Sequence, residues 1–244
     1  MPEKYTTLYP AKRIHSDGRT EATEVLLAKE YPVKLFLDGK VYTTLFVSPM
    51  ELKELAVGHL ITEGVISYGE IAGIEVQGNE VHVLTRKDAK TPHSRTTKTE
   101  TEIFINSDAV FDAKAIFAGI EHLESDAYKL TRGTHLAALV DGQGKLVIQI
   151  VDVGRHNAVD KVVGAAFLRG LDLSKLYLLS TGRQPAYMVT KAARAGIPLV
   201  ATKAVPFDSG VEAAKKANMG LVGQLRKESM LVFASEWRVR VHKN

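Results

Sequence analysis

A short polar segment in the second half of the chain combines residue types that suit an anion. Residues 146–151 are typical of a buried strand and residues 162–168 are apolar at helical spacing, so Gly154, Arg155 and His156 lie where a strand turns into a helix. The first turn of a helix offers free backbone N–H groups and the positive end of the helix dipole. The planar guanidinium of arginine adds paired donors for phosphate or carboxylate. The segment therefore predicts an anion-binding turn.

The same design is repeated further along the chain. Residues 176–181 are typical of a strand, Gly182 and Arg183 form the turn, and residues 187–195 follow as a helix. Two such units in succession place Arg155 and Arg183 at one edge of a parallel sheet, which is where open α/β sheets bind ligands. The alternative is that each glycine only permits a tight turn and each arginine is solvated.

Further polar residues complete the candidate site. His156 and Asp160 are four residues apart and can meet on one helix face, whereas Asp152 could instead orient His156 or Arg155. An imidazole held by a carboxylate serves either as a general base or as a structural group. The histidines show no His-x-x-x-His pair, so no metal site is expected. The candidate polar set comprises Arg132, His135, Asp152, Arg155, His156, Asn157, Asp160, Arg183 and Lys203.

The composition excludes several classes of protein. The 244 residues carry a net charge of +4, and acidic and basic residues are mixed along most of the chain, which argues against a nucleic-acid module. No apolar run approaches the ~20 residues that span a bilayer, and the first residues lack the apolar core of a signal peptide. We therefore expect a cytoplasmic protein that does not enter a membrane. The chain has no cysteine, which excludes disulfides, thiolate metal sites and a cysteine nucleophile.

The order of the predicted elements indicates the fold class. Residues 1–101 are expected to form a smaller, mainly β domain with one helix, including a loosely ordered lead-in over residues 1–20 and a mobile loop over residues 86–99. Residues 102–244 alternate strands and helices and include one hairpin. This pattern predicts an α/β domain, built as a three-layer α/β/α sandwich with a mixed sheet.

Three local signals make the prediction more specific. Asp38 and Gly39 predict a hairpin turn, because both residue types tolerate positive φ. Ser48 with Glu51 predicts the capping box of a helix. Ser107 and Asp108 are N-cap residue types ahead of a predicted helix over residues 113–123, which follows a short strand over residues 102–106.

The decapeptide DVGRHNAVDK at residues 152–161 is long and unusual, and it resembles the FdhD/NarQ family of formate dehydrogenase accessory proteins. Other stretches resemble this family in the same order, and the resemblance covers roughly residues 24–241. These stretches are AKEYP (28–32), SPMEL (48–52), ELAVGHLITEG (54–64), TRGTHLAAL (131–139), TGR (181–183) and the segment from KA (191–192) to GIP (196–198).

The resemblance implies a sulfur carrier that takes persulfide sulfur from a cysteine desulfurase. The sulfur goes to a molybdenum or tungsten bis-guanine-dinucleotide cofactor destined for formate dehydrogenase. The resemblance also implies a larger domain similar to the cytidine deaminase fold, a homodimer, and binding of GDP as a mimic of the cofactor ends, with no directly bound metal. The residues then expected to bind this molybdopterin guanine dinucleotide are Arg132, His135, Asp152, Gly154, Arg155, His156, Asn157, Gly182 and Arg183.

The chain departs from the family pattern at the positions that would carry sulfur. The family loop reads Ser-Cys-Gly-x-Cys-Gly, and Asp108 and Phe111 stand where its two cysteines would be. A carboxylate or a phenyl ring cannot hold a persulfide, so no catalytic residue is predicted. Val151 stands where a glutamate is expected, and Pro185 and Tyr187 stand where the family has serine and glutamate.

Three functions fit these observations. The leading hypothesis is a family member that binds and chaperones the molybdopterin-type cofactor without covalent sulfur transfer. The second is an enzyme that binds a nucleotide at the same pocket and uses His156 as a general base. The third is a regulatory module that binds formate dehydrogenase or a desulfurase and holds no ligand.

Overall fold

An antiparallel ribbon of two strands opens the chain. The computed structural model describes residues 4–67, 69–86 and 103–242. Strands β1 (Thr6–Ile14) and β2 (Thr20–Ala28) pair along their whole length. The prediction of a loosely ordered lead-in over residues 1–20 is therefore wrong, because the first strand is held by a partner strand that follows it closely. Residues 87–99 of the predicted loop lie outside the described residues.

A four-stranded sheet covered by one helix follows the ribbon. Its elements are β3 (Tyr31–Leu37), β4 (Lys40–Val47), α1 (Leu52–Thr62), β5 (Ile71–Gln77) and β6 (Glu80–Thr85). The strand order is β4–β3–β6–β5. Val33 and Leu35 of β3 face Leu60 of α1 in one buried core, since alternate residues of a strand share a face. Asp38 and Gly39 both have positive φ in the β3–β4 turn, which confirms the predicted hairpin.

Helix α1 does not begin at a capping box. Glu51 precedes the helix with φ 52°, and its side chain makes no capping hydrogen bond. Ser48 instead donates its backbone N–H to Asp152 Oδ2 at 3.0 Å, and its Oγ accepts the N–H of Val153 at 3.1 Å. The predicted cap at Ser48 is wrong because a contact between residues distant in sequence uses both polar groups of the serine.

The larger part of the structure is built on a six-stranded mixed sheet. Its elements are β7 (Phe111–Asp112), α2 (Ala113–Ala118), α3 (Asp126–Thr131), β8 (His135–Asp141), β9 (Leu146–Asp152), α4 (Arg155–Leu168), β10 (Leu176–Ser180), α5 (Ala186–Arg194), β11 (Leu199–Thr202), α6 (Asp208–Lys216), β12 (Gly220–Gly223), β13 (Leu231–Ala234) and β14 (Val239–Arg240). The sheet order is β13–β12–β11–β10–β8–β9, with β10, β11 and β12 parallel and the other pairs antiparallel. The short strands β7 and β14 pair with each other.

Helical segments cover both faces of this sheet. Leu178 and Leu179 of β10 point to opposite faces. Leu178 lies in a core with residues of α4, α5 and α6, and Leu179 lies in a second core with α2 and the 3-10 helix Gly119–Leu123. The mixed α/β class is confirmed. The cytidine deaminase-like arrangement and the division between residues 101 and 102 stay predictions.

The segment before α2 differs from its prediction. Asp112 caps α2 by accepting the N–H of Lys114 at 2.7 Å, so the cap is neither Ser107 nor Asp108. Residues 103–106 form no regular strand, although Ile105 donates its N–H to a carbonyl near the start of β12. The predicted helix over residues 113–123 is present as α2 and the following 3-10 helix.

Helices α1 and α4 cross at unusually close range. A Cβ added at Gly58 would lie 1.7 Å from the carbonyl oxygen of Asp160, and one added at Gly164 would lie 1.9 Å from that of Glu54. Only glycine at both positions lets the two backbones touch, and this crossing joins the four-stranded sheet to the six-stranded one. In the part of the chain that the structure describes, no helix has the length and apolarity to cross a membrane.

Candidate functional site

The two Gly-Arg turns meet at one edge of the six-stranded sheet. Strands β9 and β10 run in the same direction with the antiparallel strand β8 between them, so their carboxyl ends share an edge. The sequence predicts that the two turns follow strands of a parallel sheet. That expectation is wrong for β9 and β10, because they are not neighbours and the antiparallel β8 lies between them. A Cβ added at Gly182 would lie 2.9 Å from both Cβ and Cδ of Arg155. Gly182 therefore leaves room for the aliphatic stem of Arg155, and the two turns are in contact.

Asp152 anchors the turn that precedes α4. Its Oδ2 accepts the N–H of Ser48 at 3.0 Å and pairs with Lys161 Nζ at 2.7 Å, and its Oδ1 accepts the N–H of Gly154 at 2.8 Å and the side-chain amide of Asn157 at 3.0 Å. Asp152 is fully buried. Asp152 and Asn157 therefore position the backbone, and their polar atoms point into the protein. Helix α4 has no side-chain cap, so its first N–H groups stay available at this edge.

Tyr187 links Arg155 to His156. Its hydroxyl accepts a hydrogen bond from Arg155 Nη2 at 2.7 Å, and its ring packs edge-on against His156 with 4.9 Å between centroids. Within the described residues, Arg155 Nε and His156 Nε2 are buried without a hydrogen-bond partner. Burial, and then the charge of Arg155, lowers the pKa of His156. The imidazole is therefore neutral at pH 7, and the edge holds two unsatisfied polar atoms.

His135 lies at the same edge, at the start of β8. Its Nδ1 is 3.4 Å from Thr181 Oγ1, which also accepts the N–H of Leu136 at 3.0 Å. Burial lowers the pKa of His135, and the nearby charges of Arg155 and Arg183 act in the same direction. Both arginines therefore lie within electrostatic reach of this imidazole.

Within the described residues, four cations at or beside this edge have no carboxylate oxygen within 4.0 Å. The guanidinium of Arg183 lies over the ring of Phe207 at 5.5 Å, and that of Arg132 lies over the ring of Tyr128 at 5.3 Å. Uncompensated positive charge gathered at one edge attracts an anion. Among the described residues, the cations without a carboxylate oxygen within 4.0 Å include Arg132, Arg155, Arg183 and Lys203.

A buried polar cluster behind the site holds α1, α4 and α5 together. Asp160 accepts hydrogen bonds from Thr62 Oγ1 at 2.6 Å and Lys191 Nζ at 2.9 Å, and its Oδ2 lies 2.9 Å from His59 Nδ1. Burial opposes the charged carboxylate, but Lys191 and the hydrogen-bond donors outweigh it and lower the pKa of Asp160. The Asp160 carboxylate therefore joins α4 to α1 and α5. The structure shows no hydrogen bond between Asp160 and His156, so the predicted contact of these two residues is wrong.

Comparisons with known proteins identify the family of the chain. The model of the FdhD/NarQ family matches residues 28–240. The chain belongs to the FdhD/NarQ family. Protein FdhD of Methanocaldococcus jannaschii is 32% identical over 213 residues, which cover 87% of this chain and 89% of that protein. Sulfur carrier protein FdhD of Streptomyces avermitilis is 31% identical, with 91% and 92% covered.

A crystal structure shows the same fold. The protein is from Desulfotalea psychrophila and is described as a formate dehydrogenase accessory protein. It superimposes with a TM-score of 0.85 at 28% identity, and the match covers 97% of this chain and all of that one. The overall fold is therefore shared between two proteins whose sequences have diverged widely.

Residues 107–112, which the resemblance aligns with a cysteine loop, lie at the opposite edge of the sheet. Ile105 donates its N–H to the carbonyl of Ala217 at 2.9 Å, just before β12 begins. Ser107 Oγ donates to the carbonyl of Ser174 at 3.3 Å, just before β10 begins. These contacts place the segment at the amino ends of β10 and β12, and the carboxyl end of β10 leads into the Gly182-Arg183 turn of the candidate site.

The two cysteine positions differ in their surroundings. Asp108 is exposed, whereas Phe111 is 1% exposed and packs edge-on against Tyr177 with 5.1 Å between ring centroids. The buried Arg238 donates from Nη1 to the carbonyl of Ala109 at 3.0 Å. This hydrogen bond holds the backbone between positions 108 and 111. In this member of the FdhD/NarQ family the segment is thus part of the packed structure.

Sequence reasoning missed the lysines that neutralise the buried carboxylates. Lys161 and Lys191 are flanked by apolar residues in their helices. This pattern predicts buried lysines, and a buried lysine is almost always paired with a carboxylate. The sequence marks Tyr187 only as a departure from the family pattern and does not reveal its hydrogen bond with Arg155. Its contact with Arg155 depends on the approach of α5 to α4, which sequence spacing does not reveal.

Proposed function

We propose that the protein is an accessory protein that serves formate dehydrogenase. The proposal is supported by its membership of the FdhD/NarQ family and by relatives that carry the name sulfur carrier protein FdhD. The structural likeness to a protein described as a formate dehydrogenase accessory protein supports it further. A cytoplasmic location, a homodimer and a cysteine desulfurase partner stay predictions within this proposal.

The proposed cargo is a molybdopterin guanine dinucleotide, bound at the Gly-Arg edge. The single observation that carries this proposal is the set of unneutralised cations around the uncapped first turn of α4. The pyrophosphate of each dinucleotide arm would accept charge-assisted hydrogen bonds from Arg155 and Arg183. The buried Arg155 Nε has no partner in the described part of the chain, which fits a site that an acceptor of the cargo completes.

The proposed role is to hold this cargo without attaching sulfur to the protein. A persulfide requires a thiol, and the chain contains no cysteine. The side chain at position 111 also lies in the core. The protein would therefore present or protect the cofactor, and any sulfur delivery would need thiols from another chain.

A second candidate function rests on His156. Its lowered pKa keeps the imidazole neutral at pH 7, and its Nε2 has no partner among the described residues, as a general base requires. The candidate is an enzyme that binds a nucleotide at this edge and removes a proton from it. Turnover of a nucleotide library by pure protein, lost in His156→Gln, would favour this function over chaperoning.

Calorimetric titration with GDP, and with ADP as the control ligand, tests the proposed function. We expect GDP to bind more tightly than ADP. Arg155→Ala should weaken GDP binding by roughly 1.5–3 kcal/mol, the contribution of a hydrogen bond to a charged group. Arg13→Ala, which removes the same charge from an exposed ion pair on the ribbon, is the matched control. Absence of binding to either nucleotide would reject the proposal, and unchanged affinity in Arg155→Ala would remove that residue from the site.

A further inference from the structure

Strand β9 is an edge of the six-stranded sheet, and alternate residues along it direct their backbone groups away from the sheet. The carbonyl of Leu136 in β8 accepts the N–H of Thr181 at 3.1 Å, just after β10, so Leu136 bonds toward β10. Val151 of β9 lies opposite Leu136. Gln149 lies opposite Ala138, which has the same orientation as Leu136. The N–H and C=O groups of Gln149 and Val151 therefore face outward.

This edge lacks the features that usually protect an edge strand. Among the residues that the structure describes, no hydrogen-bond partner reaches the outward backbone groups of Gln149 and Val151. The strand, LVIQIVD at residues 146–152, contains no lysine or proline. Strand β13 at the other edge has four residues and a register shift in its pairing with β12. Short length and irregular pairing discourage the addition of a strand, so β9 is the edge better suited to accept one.

A cleft of about 390 Å³ lies beside this edge, and its volume is within the range of ligand sites. Gln149 and Val151, whose backbone groups face outward, both line it. Tyr5, just before β1, and the first residues of α3 complete the lining. The unpaired backbone groups of β9 and the open space therefore coincide.

The cleft carries an excess of negative charge. Lys129 pairs with Glu124 at 2.8 Å, so these two charges compensate each other. Asp126 is exposed and has no cation within 4.0 Å in the described part of the chain. The hydroxyl of Tyr5 donates to Glu51 Oε1 at 3.4 Å, and Glu51 Oε2 is buried without a hydrogen-bond partner among the same residues. A basic side chain would find acceptors here.

We propose that β9 binds an extended, basic peptide segment of a partner protein, which adds to the sheet as a seventh strand. Main-chain hydrogen bonds to Gln149 and Val151 would hold the peptide, and a lysine or arginine of the peptide would pair with Asp126. A second copy of this chain fits less well, because it would bring its own Asp126 and α3 to the same negative edge. The inference concerns a different ligand from the proposed cargo and does not depend on the proposed function.

Fluorescence anisotropy of a labelled peptide on the full chain tests the inference. The probe is TVKVKVT, which has seven residues, as β9 has. The control TVEVEVT reverses the charge, and the control TVKPKVT replaces one main-chain donor by proline. We expect the probe to bind and each control to bind at least about fivefold more weakly, the size of one hydrogen bond. No binding of the probe, or equal binding of the probe and either control, would overturn the inference.

Two variants at position 149 separate the backbone from the side chain. Gln149→Pro and Gln149→Val both remove the amide that donates to the carbonyl of His122 at 2.7 Å, but only proline removes the outward N–H. Because this N–H does not bond to β8, proline leaves the β8–β9 pairing intact. We expect probe affinity to fall at least about fivefold in Gln149→Pro and to stay within about twofold of wild type in Gln149→Val. Equal affinity in the two variants counts against the inference.

Asp126→Asn tests the charge without changing the sheet. Probe affinity should fall about threefold, the size of an exposed ion pair. Glu228→Gln, which changes an exposed carboxylate outside the cleft, should leave it unchanged. Equal affinity in these two variants would reject the basic peptide. If Gln149→Pro does not fold, this pair and the TVKPKVT control decide the outcome.

Sedimentation of the wild-type protein and the position-149 variants identifies the occupant of the edge. We expect the same oligomeric state in wild type, Gln149→Pro and Gln149→Val. If a wild-type dimer dissociates in Gln149→Pro and persists in Gln149→Val, a second copy occupies the edge and the peptide inference fails.

Discussion

Phe111→Cys and Asp108→Cys introduce thiols at the two positions that the resemblance assigns to cysteines, and the structure predicts opposite outcomes for them. The phenyl ring of Phe111 is buried against Tyr177, and its strand pairs with β14. Replacing the ring by a thiol leaves a cavity, so we expect Phe111→Cys to lower the free energy of unfolding by about 3 kcal/mol. Asp108 is exposed, so Asp108→Cys should change the free energy of unfolding by less than about 0.5 kcal/mol.

Denaturant unfolding and labelling with a thiol reagent measure the two effects. Phe104→Cys is the matched control, since Phe104 is 66% exposed and makes the same change of side chain. Thiols at positions 104 and 108 should react in the native protein, and the thiol at position 111 should react only on unfolding. If Phe111→Cys keeps wild-type stability and reacts as fast as Phe104→Cys, the segment opens freely. The view that it is fixed in the core would then be wrong.

Three further predictions concern the site and its support. Asp160→Asn leaves the ammonium of Lys191 paired only with the carboxylate of Glu63, which lies 2.8 Å away and is partly exposed. Denaturant titration should therefore show a loss of about 3 kcal/mol in the free energy of unfolding, the lower end of the cost of breaking a buried pair, and an unchanged midpoint would show that the cluster adds no stability. Burial lowers the pKa of His135 and of His156, so the unfolded state binds more protons as the pH falls below about 6.5. The free protein should therefore lose stability over that window. Because both pKa values lie below the ordinary value of about 6.5, GDP affinity should rise only as the pH falls below about 6.5, where the imidazoles gain charge beside the phosphates. An affinity that does not rise between about pH 6.5 and about pH 5 would exclude both histidines from the site. Tyr187→Phe removes the acceptor for the guanidinium, so calorimetry should show GDP binding weakened by about 1 kcal/mol, whereas unchanged affinity would mean that the tyrosine does not position the arginine.

The large sheet and its Gly-Arg turns were predictable because the signals are local. An apolar strand, a glycine, an arginine and an amphipathic helix follow one another within a short stretch, and the two turns do share an edge. The role of Asp152 was not predictable in this way. A carboxylate before a glycine turn looks the same whether it binds a ligand or, as here, accepts from Ser48 and Lys161 inside the protein.

Contacts between elements distant in sequence account for the other differences. Gly58 and Gly164 can each be recognised in the sequence of a predicted helix. Their close contact across α1 and α4 could not be predicted, because it depends on how the two helices pack. Ser48 also could not be assigned from sequence alone. Its position before α1 is typical of a helix cap, but its N–H donates to Asp152, which is distant in sequence. The preference of serine for a helix cap is outweighed where a buried carboxylate needs a hydrogen-bond donor. An unpaired buried carboxylate costs more free energy than a missing helix cap.

The position of the thiol-free segment explains why binding and sulfur transfer could be lost separately. The segment contacts the amino ends of β10 and β12, and the Gly-Arg turns follow the carboxyl ends of β9 and β10. Strand β10 has five residues, so the two edges are roughly 17 Å apart along it. Asp108 and the core residue Phe111, at the positions that the resemblance assigns to cysteines, therefore lie away from the cations around Arg155. The cofactor edge proposed above is therefore independent of thiols at positions 108 and 111, which is why GDP binding and persulfide transfer need to be measured as separate properties.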